Sequence, residues 1–442
     1  MSYLLHPYLL NAVYCLLLAT ASPWLLFQAL TKGKYREGFA AKFFGRVPQR
    51  TGDQSCVWLH AVSVGEVNLL ATLINEIQRR RPDWQCVVST TTMTGYALAK
   101  KKYAGLTVFY CPLDFSWAVK AAMARIRPNL LVLAELELWP NLIRAARRSG
   151  VQVAVVNGRL SERSFRGYQR LGDLTQQVLG QLGLIAVQNE EYAERFRVLG
   201  APAEAIHITG SMKYDGAETD RNNLRTRQLR ALASYGEDSV IFLAGSTQEP
   251  EEALALQTYL ELRKDYPNLR LILVPRHPDR FVAVSQLLEA SGVPWQRRSE
   301  LTPEPPRTPK PVLLVDAVGE LSAWWGMADV AYVGGSMGSR GGQNMIEPAA
   351  YGAAVAFGPN TRNFRDIVAA MLEERAAMVV HDGQELTAFV RHVLEDREFA
   401  AALGRCAKSL VARQLGATAK TVSLLIPLVE SAASEPPQRR AA

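Results

Sequence analysis

The chain has 442 residues, of which 48% are apolar, and it carries a formal net charge of +8. This length exceeds one ordinary hydrophobic core and predicts two domains. The 5 cysteines include no CxxC pair, which argues against a disulfide framework or a zinc site and is typical of a reducing compartment. The basic balance leaves nucleic acid, an anionic membrane surface and an anionic substrate open as partners.

The first predicted element is an apolar segment, Leu4–Leu30, which contains no Lys, Arg, Asp or Glu. It is long enough to cross a bilayer, which needs about 20 apolar residues. Six basic residues and one acid follow between residues 31 and 50, and such a flank predicts that this side stays cytoplasmic. We expect a membrane anchor. Pro7, Asn11 and Pro23 also allow a helix that lies on the membrane surface, and an apolar helix packed on the soluble body is a further alternative.

Short apolar runs alternate with amphipathic stretches after the anchor. Runs of this kind are typical of strands buried on both faces of a parallel sheet, and the alternation predicts βαβ units. The predicted strands are Val57–Ala61, Cys86–Thr90, Thr107–Tyr110, Leu130–Ala134, Val151–Val156, Leu184–Gln188, Ile206–Thr209, Val240–Ala244, Leu271–Pro275, Val312–Val315, Val330–Gly334, Ala354–Phe357 and Met378–Val380.

A polar, Arg-rich stretch interrupts this alternation and divides it into two halves. We therefore predict two doubly wound α/β domains that face a cleft, with ligands bound outside the carboxyl ends of the strands. The predicted boundaries are 1–30 for the anchor, 31–215 for the first domain, 216–238 for a linker, 239–429 for the second domain and 430–442 for a disordered tail.

Polar motifs follow two of the predicted strands of the first domain. Ser63-x-x-Glu66 either places a general base at the mouth of the cleft or forms a capping box in which Glu66 only accepts a backbone N–H. Gly65 allows a ligand to approach the backbone closely. Glu135 and Glu137 follow a later strand on a segment predicted to be extended, and we do not expect them to share a metal. An ordinary strand end before a helix is the alternative there.

Arg159 follows the next strand of the first domain, where it either faces an anionic acceptor or lies in a plain solvated loop. In the second domain, Ser246 and Thr247 follow the first strand. Hydroxyl residues at such a turn suit a phosphate, or they serve as a simple helix N-cap. Arg276, followed by His277, comes at the end of the next strand, where a guanidinium pairs with phosphate or carboxylate unless it forms a surface ion pair.

The strongest motif is the glycine-rich run from Val333 to Pro348, where a buried strand enters a loop and a helix follows. Such a loop allows backbone contact with a phosphate, although a purely structural loop is the alternative. Glu347, inside the helix, is suited to accept hydrogen bonds from both hydroxyls of a ribose. There is no Walker A, GxGxxG, GxSxG, HExxH or DxD pattern, so no metal site is predicted.

Together these motifs resemble the Kdo (3-deoxy-D-manno-octulosonic acid) transferase family of lipopolysaccharide assembly, which has the GT-B fold of two Rossmann-like domains. The resemblance covers essentially residues 1–425. The motifs that occur in family order are His60–Glu66, Glu135–Asn141, Gly210–Asp215, Pro275–His277, Asp316–Leu321 and Gly334–Pro348.

The resemblance implies an inverting glycosyltransferase that moves Kdo from CMP-Kdo to a lipid A precursor at the cytoplasmic face of the inner membrane. Glu66 would be the catalytic base, and Ser63, Gly65, Glu135, Glu137 and Arg159 would lie on the acceptor side. The residues expected to bind CMP-Kdo are Ser246, Thr247, Arg276, His277, Gly335, Ser336, Gln343, Asn344 and Glu347. The family usually has His where Gln248 and Gln343 stand. We further expect a monomer with no cofactor, no metal and no nucleic-acid partner.

Other classes remain as alternatives. One is a GT-B transferase or epimerase that acts on a different nucleotide sugar. A Rossmann oxidoreductase is disfavoured because no GxGxxG with a downstream acid is present. A catalytically silent membrane scaffold is disfavoured by the presence of Glu66, Arg276 and Glu347.

Overall fold

The computed structural model describes residues 7–32, 37–302 and 310–434. The chain forms two compact units. The N-terminal unit contains residues 1–216 and 415–442, and the C-terminal unit contains residues 217–414.

The N-terminal unit is built on a seven-stranded sheet in the order β3-β2-β1-β4-β5-β6-β7, in which all neighbours are parallel. Its strands are β1 Cys56–His60, β2 Gln85–Thr90, β3 Thr107–Tyr110, β4 Leu130–Ala134, β5 Gln152–Gly158, β6 Leu184–Val187 and β7 Ile206–Ile208. Its helices are α1 Pro7–Lys32, α2 Phe39–Phe44, α3 Val64–Arg80, α4 Met93–Lys102, α5 Ser116–Ile126, α6 Pro140–Arg148, α7 Glu162–Arg170, α8 Asp173–Leu179, α9 Glu190–Val198 and α18 Ala417–Ser434.

The C-terminal unit has a second seven-stranded parallel sheet, in the order β10-β11-β9-β8-β12-β13-β14. Its strands are β8 Val240–Thr247, β9 Leu269–Pro275, β10 Trp295–Arg297, β11 Val312–Leu314, β12 Val330–Val333, β13 Ala354–Phe357 and β14 Met378–Val379. Its helices are α10 Leu224–Ala233, α11 Glu251–Leu262, α12 Phe281–Ala290, α13 Leu321–Trp325, α14 Ile346–Ala350, α15 Arg365–Glu373, α16 Gly383–Glu395 and α17 Arg397–Gln414.

Both faces of the central strands are buried, as the apolar runs predict. Along β1, Trp58 packs in one apolar cluster and its neighbours Val57 and Leu59 pack in another. This division follows from the alternation of side chains along a strand, which sends successive residues to opposite faces of the sheet. Every predicted strand is present. Only β10 had no signal in the sequence, because it is a three-residue edge strand whose side chains are all partly exposed.

The segment predicted as a linker, 216–238, instead packs on the C-terminal unit. It contains α10, where the buried Thr226 donates a hydrogen bond from Oγ1 to the Ala323 carbonyl over 3.0 Å. Arg221 donates from Nε to the Tyr351 carbonyl over 2.8 Å. These contacts make the segment part of the C-terminal unit from residue 217 onward.

The predicted end of the second domain at residue 429 also differs from the structure, because α18 returns to the N-terminal unit. Val422, Leu425 and Val429 are buried there in the same cluster as Val57. The carboxylate of Asp215 accepts hydrogen bonds from the backbone N–H groups of residues 416 and 418, at the start of this helix. The predicted tail therefore begins with the last turn of α18, and residues 435–442 lie outside the described residues.

The N-terminal helix α1 contains a stretch, Pro7–Thr31, that is long and apolar enough to cross a membrane, with a mean hydropathy of 1.7 and 11% burial. It contacts the rest of the unit through polar groups. Asn11 donates to Ser116 Oγ over 2.7 Å and accepts from its backbone N–H over 3.0 Å, and the Tyr14 hydroxyl donates to Asp114 over 2.9 Å. Residues 1–6 of the predicted anchor and 33–36 of the basic flank lie outside the described residues.

Replacing Leu425 of α18 with Ala is expected to destabilise the N-terminal unit by about 2–5 kcal/mol, because it leaves a cavity in a closed core. Urea unfolding, followed by a probe in this unit, measures the change. Lys420→Ala on the exposed side of the same helix is the control and should cost less than about 0.5 kcal/mol. Equal stability of the two variants would show that α18 is only loosely attached.

Candidate active site

The strand order of each sheet reverses beside the first strand of its unit. In the N-terminal unit β1 lies between β2 and β4, and in the C-terminal unit β8 lies between β9 and β12. Loops that follow two such neighbouring strands run to opposite faces of the sheet and leave a crevice at the carboxyl ends, where doubly wound folds bind ligands. Most of the predicted site residues follow these strands, and Arg159 follows the neighbouring strand β5, so each unit has one candidate site.

Glu66 lies in the first turn of α3, after β1, and its carboxylate is held by local hydrogen bonds. Oε2 accepts from the Val62 backbone N–H over 2.8 Å, and Oε1 accepts from the Ser63 hydroxyl over 2.7 Å. Ser63 is the N-cap of α3, and its Oγ accepts from the Glu66 N–H over 3.3 Å. Gly65 lies beside them with an open backbone, since an added Cβ would meet only Ser63 Oγ, at 3.7 Å. The Ser63 side-chain cap of the predicted capping box is therefore present, but Glu66 accepts the backbone N–H of Val62, the residue before the N-cap, and the Ser63 hydroxyl as well.

Glu135 and Glu137 lie in the loop between β4 and α6, and that loop is not extended as predicted. Glu135 has φ 56°, in the left-handed region, so the strand ends abruptly at Ala134. Its carboxylate lies 3.3 Å from Lys213 Nζ. Glu137 accepts a hydrogen bond from Trp139 Nε1 over 3.0 Å.

These three carboxylates are close enough for their charges to affect the ionisation of Glu66 and Glu137. Burial, and to a smaller extent the charge of Glu135, raises the pKa of Glu66. Burial, the charge of Glu66 and then that of Glu135 raise the pKa of Glu137 to about 7. Lys213 offsets part of the negative charge through Glu135. Carboxyl groups whose pKa values are raised in a crevice are candidates for acid–base chemistry.

Two further groups of the N-terminal unit border this loop system. His60, at the end of β1, is fully buried with Nδ1 2.9 Å from Ser89 Oγ, and burial lowers its pKa to about 4, so the imidazole is neutral. Arg159 is half-buried directly after β5, the strand beside β4.

Ser246 and Thr247 lie inside β8 rather than in a strand-to-helix turn. The strand continues through Thr247 with a bulge, where Ser246 has φ 54°. The Thr247 side chain is fully buried, and its hydroxyl has no hydrogen-bond partner among the described residues. The following helix α11 begins at Glu251 with no side-chain cap, so neither hydroxyl serves as the N-cap that the sequence left open.

Arg276 lies at the end of β9 with its side chain exposed, and Nε donates to Gln343 Oε1 over 3.2 Å. The Arg276 backbone N–H donates to the Thr247 carbonyl over 3.0 Å, which joins the ends of β8 and β9. His277 is exposed beside it. The glycine-rich loop is therefore joined to the cation through Gln343.

At the end of that loop, Asn344 and Glu347 form a pair. Asn344 Nδ2 donates to Glu347 Oε1 over 3.0 Å, and Asn344 Oδ1 accepts from the Ile346 N–H over 3.1 Å. Burial raises the pKa of Glu347. Glu347 is the second residue of α14, which begins at Ile346.

The predicted contact of Gly335 and Ser336 with a phosphate meets an obstacle, because a buried carboxylate already accepts their backbone N–H groups. Gly335 N donates to Glu251 Oε2 over 2.7 Å, and Ser336 N donates to Glu251 Oε1 over 2.9 Å. The Ser336 hydroxyl, fully buried, donates to the Val333 carbonyl over 2.6 Å. These two residues thus shape the loop internally.

Sequence reasoning missed Glu251 and Lys213 as parts of the sites. Lys213 was visible only as a member of the Gly210–Asp215 motif. Glu251 gave no signal, because a Glu at the start of a helix is usually exposed and its partners come from a loop 84 to 86 residues away. Among the described residues, no group of three or more His, Cys, Asp or Glu is arranged to hold a metal ion.

A solved structure with the same fold is UDP-GlcNAc 2-epimerase from Neisseria meningitidis bound to UDP-GlcNAc, with a TM-score of 0.58 and 13% identity, covering 84% of this chain and 100% of that one. At this identity the likeness concerns the fold alone. With its two doubly wound parallel sheets, the chain has the GT-B fold.

The family model described as 3-deoxy-D-manno-octulosonic-acid transferase (kdotransferase) matches residues 37–216. The 3-deoxy-D-manno-octulosonic acid transferase of Haemophilus influenzae is 34% identical over 86% of this chain and 90% of its own length. That of Bordetella pertussis is 34% identical over 94% of this chain and 98% of its own. The chain therefore belongs to the Kdo transferase family and is a glycosyltransferase. The expected family is confirmed, and the epimerase alternative has only fold similarity behind it.

The carboxylate cluster predicts a measurable coupling. An NMR titration of labelled Glu side chains should show Glu137 titrating near pH 7. Replacing Glu66 with Gln should lower the pKa of Glu137, because it removes a negative charge that disfavours ionisation. Glu76→Gln, near the C-terminal end of the same helix α3, where the native carboxylate pairs with Arg79 and Arg80, is the control and should leave the pKa of Glu137 unchanged. An unchanged pKa of Glu137 in the Glu66→Gln variant would show that the two carboxylates do not interact electrostatically.

Proposed function

We propose that the protein transfers Kdo from CMP-Kdo to a lipid A precursor with inversion at the anomeric carbon, by a single displacement. The observation that carries this proposal is the carboxylate cluster around Glu66 at the strand-order reversal of the N-terminal unit. Such a cluster supplies a base for an acceptor hydroxyl, while the C-terminal unit offers a cation and a carboxamide-carboxylate pair for the nucleotide.

Glu66 is the proposed base. The acceptor hydroxyl oxygen attacks the anomeric carbon of Kdo, its proton passes to a Glu66 oxygen, and the bond from that carbon to the CMP phosphate breaks. A raised pKa suits this role, because it makes the carboxylate a better proton acceptor near neutral pH. Ser63 and Gly65 border the base, Glu135 and Glu137 set its electrostatic environment, and Arg159 faces the anionic acceptor.

The proposed donor site is the reversal beside β8. Arg276 lies at the strand end with a permanent positive charge and is suited to the leaving CMP phosphate. Gln343 orients its guanidinium, and His277 borders it. Asn344 and Glu347 lie together as a pair, in which the amide can donate hydrogen bonds to the ribose hydroxyls and the carboxylate can accept hydrogen bonds from them. Ser246 and Thr247 form the bulged wall of this site, and no metal or other cofactor is required in this proposal.

We further propose that α1 anchors the N-terminal unit to the cytoplasmic face of the inner membrane. Its apolar side chains, among them Leu16, Leu17 and Phe27, are largely exposed, which an apolar helix packed on a soluble body would avoid. Its polar residues Asn11 and Tyr14 instead bond to the unit. A membrane-bound acceptor would then meet its enzyme at the bilayer surface.

The test of the proposed reaction is a transfer assay with CMP-Kdo and a lipid A precursor, read by mass spectrometry. The native protein should add one or more Kdo units, and UDP-sugars should give no product. Glu66→Gln should lower kcat by about 10²–10⁴-fold, the usual effect of losing a general base, while CMP still binds. Glu76→Gln in the same helix should keep kcat within about twofold.

Two outcomes would contradict this assignment. If a preparation that binds CMP gives no product with CMP-Kdo, either the proposed lipid A acceptor or the proposed Kdo transfer is excluded. A Glu66→Gln variant with nearly normal kcat would reduce Glu66 to a capping residue.

The anchor proposal predicts that a chain without residues 1–30 no longer sediments with anionic lipid vesicles but still binds CMP, since the proposed nucleotide site belongs to the C-terminal unit. The double variant Leu16→Lys, Leu17→Lys is a sharper probe. It keeps the contacts of Asn11 and Tyr14 and charges only the exposed apolar face, where each Lys costs about 2.5–3.5 kcal/mol at the centre of a spanning helix. Vesicle binding that survives in both variants would assign α1 another role.

A further inference from the structure

The carboxylate of Glu251 is almost completely enclosed, with 1% of the residue exposed. It accepts five hydrogen bonds. Oε2 accepts from Gln248 N over 2.9 Å and from Gly335 N over 2.7 Å. Oε1 accepts from Ser336 N over 2.9 Å, from Met337 N over 3.0 Å and from the Tyr332 hydroxyl over 3.0 Å. Four of these donors are backbone N–H groups, which can donate a hydrogen bond but cannot accept one.

Three of the N–H groups, at residues 335–337, are consecutive. Successive N–H groups that converge on one point form an anion-binding nest, the device by which glycine-rich loops hold phosphate. Here the nest is occupied by the chain's own carboxylate. A phosphate and Glu251 cannot occupy the same nest, so the glycine-rich loop does not bind the donor phosphate through these groups.

Close contacts explain two glycines of the loop, Gly334 beside this carboxylate and Gly335 beside Gln343. A Cβ on Gly334 would lie 2.7 Å from Glu251 Oε2 and 2.6 Å from Thr247 Cα, so no larger residue fits beside the carboxylate. Gly335 has φ 67°, and a Cβ there would lie 3.1 Å from Gln343 Cγ. Within the loop, Gly334 thus packs closely on Glu251, and Gly335 packs closely on Gln343, the partner of Arg276.

We infer that Glu251 is a positioning residue for the donor site: an internal anion that clamps the glycine-rich loop to the end of β8 and so places Gln343 and Arg276 for the nucleotide phosphate. This inference rests on the proposed function, because it takes CMP-Kdo as the ligand of that site. It assigns the phosphate to Arg276 and its neighbours and leaves the loop N–H groups to Glu251.

The adjacent Glu252 provides a matched control. It too is 1% exposed and lies in the first turn of α11, but its carboxylate faces Arg280, with Nε–Oε1 at 2.9 Å and Nη2–Oε2 at 3.1 Å. Gln at either position keeps the size of the side chain. Glu251→Gln turns one acceptor oxygen into a donor and leaves at least two N–H or O–H donors without an acceptor. Glu252→Gln leaves the loop contacts intact.

The experiment compares the native protein with the Glu251→Gln and Glu252→Gln variants by amide hydrogen exchange without ligand and by calorimetric titration with CMP. In Glu251→Gln, amides of residues 335–337 should exchange at least about tenfold faster, while those of β9 keep their protection. CMP should bind at least about tenfold more weakly, and KM should rise for CMP-Kdo but not for the lipid acceptor. In Glu252→Gln, loop exchange and CMP affinity should stay within about threefold of native.

Unchanged loop exchange in Glu251→Gln, or equal losses of CMP affinity in both variants, would overturn the inference. If Glu251→Gln does not fold, Tyr332→Phe removes only one of the five donors and should show the same effects at a smaller size; an unaltered loop and an unaltered CMP affinity in that variant would then count against the clamp. A native protein that binds no CMP would refute the proposed function, whereas the exchange contrast between the variants still decides whether Glu251 holds the loop.

Discussion

The reversal of strand order beside the first strand of each sheet is the constraint on which both candidate sites depend. A parallel sheet covered on both faces offers polar groups to a ligand only beyond its strand ends, and only between two strands whose connections go to opposite faces is there an open crevice. In the N-terminal unit that crevice lies between β1 and β4, which precede Glu66 and Glu135. In the C-terminal unit it lies beside β8, which precedes Glu251. The strand order of each sheet therefore fixes the position of its candidate site.

The two units place a Glu at corresponding points, in the first turn of the helix after the first strand, and use it in different ways: Glu66 is half-buried, and Glu251 is enclosed. Glu66 accepts hydrogen bonds from the Val62 N–H and the Ser63 hydroxyl, and burial, with a smaller effect of the charge of Glu135, raises its pKa. Glu251 has five donors and no capacity left for a ligand. The number of donors supplied by the surroundings thus distinguishes Glu251, which holds a loop in place, from Glu66, the proposed base.

The strands and their parallel arrangement were predictable because they follow from local apolar runs, and Glu66, Glu135 and Arg276 follow the strand ends after which the sequence places them. What escaped prediction depends on contacts between distant residues. The return of α18 to the N-terminal unit depends on Val422 and Leu425 meeting the face of a sheet formed over 200 residues earlier. Likewise, the bulge at Ser246 and the left-handed turn at Glu135 are backbone conformations that a sequence pattern does not reveal.

The contacts of α1 show that the proposed anchor is part of the N-terminal unit and more than a tether. Asp114 accepts a hydrogen bond from Tyr14 of α1 and also from the backbone N–H groups of Asn141 and Leu142 in the first turn of α6. The loop that carries Glu135 and Glu137 leads directly into that turn. One buried carboxylate, whose pKa burial raises to about 6, thus joins the apolar helix to the start of α6. The orientation of the acidic loop relative to α1 is therefore set by specific hydrogen bonds, which a flexible linker would not provide.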